Sequence, residues 1–314
     1  MTEPARIVDV SSWPEKREDP DEQLGARGST WLVEPIRADS DAGPLWIFKP
    51  VRKRKVVHED QTPWFEEDWA EYVSTRIGEL LHLPVAAIDL AVRHGRRGVI
   101  SPSFVPDRAH PPTFGNELLF RDDPDYPLHA KGEVPGYRPE RCLQLLSQHR
   151  SPLGSAPAIT SASDAFAGYL LLDALVANTD RHHENWTVLQ HRGSSYLAPC
   201  YDLGTCLGFQ LTDAERQERL ETSDRNRTVR GWCERGRSRA FEDQPSLVDV
   251  AVGAVAAASE TARGLLLGRL GYLADTHLAE VVDAVPTDRM SRWAGTFATE
   301  VLRINRDRLL EQLT

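Results

Sequence analysis

Residues 178–185 read Asn178-Thr-Asp-Arg-His-His-Glu-Asn185, a dense run of polar side chains. This run follows the apolar stretch Phe-Ala-Gly-Tyr-Leu-Leu-Leu-Asp-Ala-Leu-Val-Ala at residues 166–177 and precedes a strand-like run at 186–189. A second stretch, Ala198-Pro-Cys-Tyr-Asp-Leu-Gly204, comes next along the chain and contains Asp202. Polar groups at the end of an apolar helix and on a following strand are therefore the first candidates for chemistry.

Asp180, Asn185 and Asp202 carry the hard oxygen atoms that Mg²⁺ prefers as ligands. If Asn185 and Asp202 hold a divalent cation, Asp180 remains free to accept the proton of an attacking hydroxyl. A turn rich in Asn, Asp and His is also typical of a solvated helix end, which is the structural alternative. The Tyr201-Asp202-Leu203-Gly204 element favours the functional interpretation.

The chain divides by its periodicity into two parts. Short β-prone runs separated by Gly, Pro and charged turns fill the first third, at residues 5–10, 31–35, 45–48, 87–92 and 98–105. Residues 66–83 instead carry apolar side chains at steps of three and four, which predicts one amphipathic helix. After a span rich in Pro and Gly at 106–136, helical periodicity dominates, at residues 139–148, 163–178, 246–266, 277–285 and 288–313. We predict two lobes, 1–105 and 106–314, with a ligand cleft between them.

Composition limits the function classes. The chain has 314 residues, with 37 Lys+Arg against 47 Asp+Glu and a formal net charge of −10, which argues against sequence-independent nucleic-acid binding. Four cysteines without a Cys-x-x-Cys pair indicate reduced thiols. The N-terminus lacks the apolar core of a signal peptide, and no apolar run reaches the ~20 residues of a membrane helix. We expect a cytoplasmic protein with no membrane contact and no direct DNA binding.

The two polar stretches resemble a known family. Asp180-Arg-His-x-x-Asn185 followed by Tyr201-Asp202-Leu203 is similar to the motif pair shared by HipA-type serine/threonine kinases and phosphatidylinositol-kinase-like enzymes. The flanking Leu197-Ala-Pro-x-Tyr-Asp202 is closer to the HipA-like group. The resemblance implies an α+β, two-lobed, protein-kinase-like fold, with a strand-rich N-lobe that contains one helix and a mostly helical C-lobe.

The resemblance extends upstream, over residues 5 to 240. Trp46-Ile-Phe-Lys49-Pro resembles the strand of the ATP-binding lysine, and Glu71 lies where such kinases place the glutamate partner of that lysine. Glu67, one helical turn earlier, competes with Glu71 for this position, and the distance to Leu83-Pro84 favours Glu71. Leu24-Gly-Ala-Arg-Gly-Ser-Thr30 resembles a glycine-rich phosphate loop. Residues 98–105 resemble the strand that leads into the hinge.

By this resemblance the cofactors are ATP and Mg²⁺, with Mn²⁺ as an alternative metal. Asp180 would be the catalytic base, and His182 would bind the phosphates, hold Asp180 or brace the turn. Asn185 and Asp202 would be the metal ligands. The implied nucleotide-binding residues are Gly25, Gly28, Ser29, Lys49, Glu71, Phe104 and Val105. Self-inactivation by autophosphorylation of the phosphate loop would use Ser29 or Thr30 as the acceptor.

The neighbours of these residues receive structural interpretations. We expect His183 and Glu184 to be solvated. Asp173, on an otherwise apolar helix, is expected to have a structural role, with an arginine of the polar turn as its partner.

A local basic segment points to a partner. Six arginines lie between residues 225 and 239, within a chain that is acidic overall. This segment is either a solvated loop or a docking site for an acidic partner. Such a partner would be tRNA, a nucleic-acid-bound enzyme such as a tRNA-associated one, or a phosphorylated loop of the protein itself. The expected partners are ATP, a protein substrate and, by the resemblance, an antitoxin.

Three alternatives stay open at this stage. The same motif pair occurs in lipid kinases, so a phosphatidylinositol-type lipid or a small molecule could be the acceptor. A kinase-like fold could bind nucleotide without transferring phosphate. The acidic and imidazole side chains of 180–184 with Asp202 could instead form a transition-metal hydrolase site, although adjacent His182 and His183 cannot easily face one ion.

Overall fold

The computed structural model describes residues 4–16, 28–35, 43–52, 65–105 and 110–314. A five-stranded sheet lies near the N-terminus, with strand order β1-β4-β5-β3-β2. Its strands are β1 (Ile7–Asp9), β2 (Thr30–Val33), β3 (Leu45–Pro50), β4 (Asp89–Arg93) and β5 (Arg96–Pro102). β1 runs parallel to β4, and the other pairs are antiparallel. The β4–β5 turn consists of His94 and Gly95, both with positive φ, as a two-residue hairpin turn requires.

The helix α1 (Glu67–Leu80) connects β3 to β4 and packs on the sheet. Its apolar side chains Trp69, Val73 and Ile77 are fully buried, as the periodicity predicts. Glu71, two residues after Trp69 on the same helix, is also buried.

The rest of the chain is mainly helical, with a small three-stranded sheet. The strands are β6 (Thr113–Phe114), β7 (Thr187–His191) and β8 (Ser194–Leu197). The helices are α2 (Gly115–Asp122), α3 (Pro139–Leu146), α4 (Ala162–Val176), α5 (Asp213–Glu221), α6 (Val229–Glu234), α7 (Leu247–Ala257), α8 (Glu260–Tyr272), α9 (Asp275–Asp283) and α10 (Arg292–Leu313). α4 is buried on almost every face and packs against α3, α7 and α10. This arrangement confirms the predicted α+β plan.

Two details of the sequence prediction were wrong. The predicted helix 246–266 is two helices, because Ser259 caps α8 and donates from its backbone N–H and its Oγ to the buried Asp164 carboxylate, at 2.8 and 3.0 Å. The span 106–136 contains β6 and α2 rather than only a linker. In addition, α5 and α6 were not predicted, since α5 buries a single residue, Arg216, and has no apolar stripe.

One large hydrophobic core extends across both lobes, and two smaller clusters lie at the first sheet. This core extends from Ala5 through α1 and α4 to Leu309 in α10, so the C-terminal helices share buried contacts with both lobes. Within the described ranges, no helix combines the length and apolar character that crossing a membrane requires.

A buried ionic cluster joins the first lobe to the C-terminal region. Asp68 in α1 is 1% exposed and accepts hydrogen bonds from Arg97 Nε and Nη2 and from Arg289 Nη1, all at 3.1 Å. Arg97 also donates to the Arg289 carbonyl at 2.7 Å. Because Asp68 neutralises two guanidinium groups, one of them buried, it supports the position of α1 over the sheet.

We expect Asp68→Ala to lower the free energy of unfolding by about 3–5 kcal/mol, since the substitution leaves the buried Arg289 charge without its partner. Urea unfolding followed by circular dichroism measures this change. Asp288→Ala is the matched control, because that carboxylate is 71% exposed and lies 3.8 Å from Arg289 Nε. Equal losses for the two variants would contradict the role given to Asp68.

Candidate functional site

The centre of the candidate site is one ammonium group between two carboxylates. Lys49 Nζ, on β3, lies 3.1 Å from Glu71 Oε1 and 2.9 Å from Asp202 Oδ1. The ion pair that the sequence predicts between Lys49 and Glu71 is therefore present. Glu67, the competing glutamate, instead accepts from the backbone N–H of Arg52 at 2.9 Å and pairs with its guanidinium group.

These contacts control the charge of each group. The Lys49 ammonium holds the pKa of Asp202 below its usual range, so Asp202 is ionised at neutral pH. Burial works against the charged lysine, but the two carboxylates outweigh it and raise the pKa of Lys49. Burial is also the largest influence on Glu71 and raises the pKa of its carboxyl group. Lys49 is thus a permanent cation at the centre of the site.

The polar loop begins where α4 ends. Ala177 adopts the left-handed conformation, with φ 55°, and terminates the helix. The backbone N–H of Asp180 donates to Asn178 Oδ1 at 3.1 Å, and Asn185 Nδ2 donates to the Asp180 carbonyl at 2.8 Å. Burial raises the pKa of the Asp180 carboxyl, and the nearby Arg239 and Arg52 guanidinium groups oppose this shift.

A buried ion pair connects the loop to its surroundings. Arg181 Nε and Nη2 each donate to Asp173 at 2.8 Å, and both side chains are 3% exposed. Arg181 Nη1 donates to the Asn185 carbonyl at 2.8 Å and to the Tyr201 carbonyl at 3.4 Å. One guanidinium group therefore brings the loop with Asp180 and Asn185 beside the segment that carries Asp202. The structural role expected for Asp173, and its arginine partner, are present.

The expectation that His183 is solvated was wrong. Its side chain is buried, and its Nδ1 lies 2.6 Å from the Tyr126 hydroxyl. Burial lowers the pKa of His183 to about 4, so the ring is neutral. Glu184 is exposed, as predicted.

The second support of the loop is Tyr137, which donates to the Arg181 carbonyl at 2.9 Å and accepts from Trp186 Nε1 at 3.0 Å. Sequence reasoning missed both tyrosines, because they lie in or beside a span that reads as a linker. In the sequence, each tyrosine stands out only as an aromatic residue close to prolines or glycines.

His182 is half-buried at the loop surface. Its backbone N–H donates to the Asp180 carbonyl at 2.9 Å, and its Nδ1 accepts from the Glu184 N–H at 3.2 Å. Both bonds lie within the turn that presents Asp180.

The hinge side of the site is apolar. The Phe104 and Tyr201 ring centroids are 5.5 Å apart. A cavity next to this pair is lined by Phe104, Leu153, Leu189, His191, Tyr196, Leu197 and Pro199. Val105 is half-buried, and its backbone N–H donates to Ser103 Oγ at 3.4 Å. Aliphatic and aromatic walls of this kind suit a flat heteroaromatic ring.

The predicted phosphate loop is described in part. Gly25 lies outside the described residues. Gly28 has φ +100° with open space around its Cα, and a residue with a side chain would be strained there. Ser29 is half-buried and immediately precedes β2, which pairs with the Lys49 strand.

The donor set suits a hard divalent cation. Asp202 supplies an ionised carboxylate, and Asn185 supplies an amide oxygen from the adjoining loop. Asp202 has φ 61°, a conformation that aspartate and asparagine tolerate better than most residues. In the described part of the chain, no group of three or more His, Cys, Asp and Glu side chains is arranged to hold a metal.

Comparisons with known proteins agree with this architecture. Residues 24–263 match the sequence profile of the HipA-like C-terminal domain. No curated protein matches the chain in sequence. In structure the chain resembles the proinflammatory kinase CtkA of Helicobacter pylori, with a TM-score of 0.71 and 16% identity over 98% of this chain and 96% of that chain.

A chain of the Shewanella oneidensis MR-1 toxin–antitoxin complex of HipA, HipB and operator DNA is also similar. Its TM-score is 0.53, with 15% identity over 95% of this chain and 70% of that chain. These likenesses support the kinase-like fold. The profile match includes Lys49, Glu71, the polar loop and Asp202, and it covers most of the sequence. The chain therefore belongs to the HipA-like C-terminal domain family.

Proposed function

We propose that this protein is an ATP-dependent serine/threonine protein kinase, which transfers the γ-phosphate of MgATP to a protein hydroxyl. The observation that carries the proposal is the contact of Lys49 with both Glu71 and Asp202, at 3.1 and 2.9 Å. The Asp180 loop beside these residues supplies a base, and the cavity at Phe104 offers space for the adenine ring.

The proposed mechanism follows from the charges of the residues. Lys49, held by Glu71, would donate hydrogen bonds to the α- and β-phosphates. Asn185 and Asp202 would hold Mg²⁺, which neutralises charge on the β- and γ-phosphates when bound. Asp180 would orient the acceptor hydroxyl and accept its proton, and its raised pKa makes it a better proton acceptor than an exposed aspartate. Positioning and electrostatic stabilisation provide most of the catalysis in such sites.

The proposed acceptor is a protein rather than a lipid. The exposed arginines between residues 225 and 239 occupy a loop and a six-residue helix, α6, rather than one face of a long amphipathic helix. The S. oneidensis relative is described in a complex with HipB and operator DNA. By analogy with that complex, an antitoxin is proposed as a partner of this chain, as is a protein substrate such as a tRNA-associated enzyme.

The metal ligand provides the first test. We expect Asp202→Ala to abolish Mg²⁺-dependent turnover of ATP, since the substitution removes a carboxylate that would hold the metal. Release or transfer of labelled γ-phosphate, with Mg²⁺, Mn²⁺ or EDTA, measures this loss. Asp202→Asn keeps a residue that tolerates positive φ, and thermal unfolding confirms that each variant is folded. Asp283→Ala, at an exposed position in α9, is the control. Full activity of either Asp202 variant, or in EDTA, would refute the kinase proposal.

The base provides the second test. We expect Asp180→Asn to bind MgATP within about threefold of the parent but to lose turnover by about 10²–10⁴-fold, since general-base catalysis acts in the transition state. Calorimetric titration with a non-hydrolysable ATP analogue gives the affinity, and single-turnover phosphate transfer gives the rate. Unchanged turnover would show that Asp180 is not the base. A zinc-dependent, ATP-independent hydrolysis would support the hydrolase alternative instead.

Autophosphorylation of Ser29 or Thr30 is a further part of the proposal. A phosphate at either hydroxyl adds about −1.5 to −2 charges and would repel the triphosphate of ATP. We expect incubation with MgATP to phosphorylate this loop and to weaken nucleotide binding, as measured by mass spectrometry and titration before and after the incubation. Phosphorylation of a different protein while both residues stay unmodified would show that the loop is not a self-acting switch.

A further inference from the structure

The basic segment at residues 225–239 places positive charge beside the proposed base. The chain carries a net charge of −10, yet residues 225–239 contain six arginines against one glutamate. Within this segment the backbone N–H of Arg239 donates to the carbonyl of Thr179 at 2.9 Å. Thr179 immediately precedes Asp180, so Arg239 is attached directly to the loop that holds the base.

The residues next to Arg239 in the chain are anchored to the protein interior. The Ser238 N–H donates to the Pro245 carbonyl at 2.9 Å, and Phe241 stacks on Tyr137 with centroids 4.5 Å apart. Ser238 and Phe241 are buried, as is Ala240, whereas Arg239 is exposed. Tyr137 itself supports the Arg181 carbonyl. The Arg239 backbone is therefore as fixed as the catalytic loop, and its side chain faces solvent next to Asp180.

Arg239 differs from the other cation near the base. The charges of both Arg239 and Arg52 favour the ionised form of Asp180. Arg52 is paired with Glu67. Within the described ranges, no ion pair neutralises the side chain of Arg239 or of its exposed neighbour Arg237. An exposed guanidinium group thus lies near the carboxylate to which an acceptor hydroxyl would bind.

We propose that Arg239, assisted by Arg237, binds a carboxylate of a polypeptide acceptor next to the hydroxyl that is phosphorylated. The inference rests on the proposed kinase function and identifies the class of acceptor, an acidic segment. The planar guanidinium group forms paired hydrogen bonds with a carboxylate, and this contact would fix the register of the acceptor over Asp180. A nucleic acid is an extended polyanion, so the net negative charge of the rest of the protein would repel it. A short acidic segment, in contrast, needs to contact only the arginines beside Asp180.

A peptide library tests the assignment. Each peptide contains one central serine or threonine, and Asp, Asn or Lys is placed in turn at every flanking position. We expect the parent protein to prefer Asp over Asn at one or two positions by about tenfold in KM, the scale of one charge-assisted hydrogen bond. Arg239→Ala should reduce that ratio to about one, and Arg239→Glu should shift the preference to Lys at the same position. Arg230→Ala, on α6 and 4.0 Å from Glu234, is the matched control and should keep the ratio.

Three outcomes would overturn the inference. The first is a parent enzyme with no preference for Asp, and the second is a preference that survives in Arg239→Ala and Arg239→Glu. The third is the absence of phosphate transfer to any peptide by a preparation that still turns over MgATP, which would exclude a polypeptide acceptor without excluding phosphoryl transfer. If the same preparation also fails to turn over MgATP, the proposed function fails, and this inference fails with it.

Discussion

The candidate site depends on the buried ion pair between Asp173 and Arg181. Both side chains are nearly inaccessible to solvent, and their paired hydrogen bonds of 2.8 Å connect the last turns of α4 to the polar loop. A buried guanidinium group without a carboxylate would be strongly unfavourable, so Arg181 can occupy this place only with its partner. The third guanidinium nitrogen, Arg181 Nη1, donates to the carbonyls of Asn185 and Tyr201. One interaction thereby determines where the loop lies relative to Asp202.

Three carboxylate groups lie close together at the candidate site, and their negative charges determine which ligands the site can bind. Glu71 and Asp202 converge on Lys49, and Asp180 contributes a third carboxylate close to Asp202. Such a group of acids is stable only with compensating positive charge, which Lys49 supplies in the free protein and which a divalent cation would supplement. The site is thus arranged to receive positive charge. In the proposed function, MgATP would bring a metal ion together with phosphate groups for Lys49 to bind.

The position of Lys49 also depends on contacts far from the site. Lys49 lies on β3, and Glu71 lies on α1, whose own position is supported by the contacts of Asp68 with Arg97 and Arg289. Because α1 also packs against α4, the helix that leads into the polar loop, the two lobes share a continuous core. Contacts of the C-terminal region with α1 therefore support the position of Glu71 beside Lys49.

Elements with a local signal were predictable from the residues alone. β-prone runs between turn residues predicted the five strands of the first sheet, and helical periodicity predicted α1 and α4. The polar cluster singled out Asp180, Asn185 and Asp202 as candidates. The family resemblance added Lys49 and Glu71, which the structure places in contact. Interactions between distant segments became visible in the folded chain. They are the burial of His183 against Tyr126, the contact of Asp164 with Ser259 between α7 and α8, and the placement of Arg239 beside Thr179. The reason is physical. Periodicity reports which face of an element is apolar, whereas the partner of a buried polar group is chosen by packing between segments far apart in the chain.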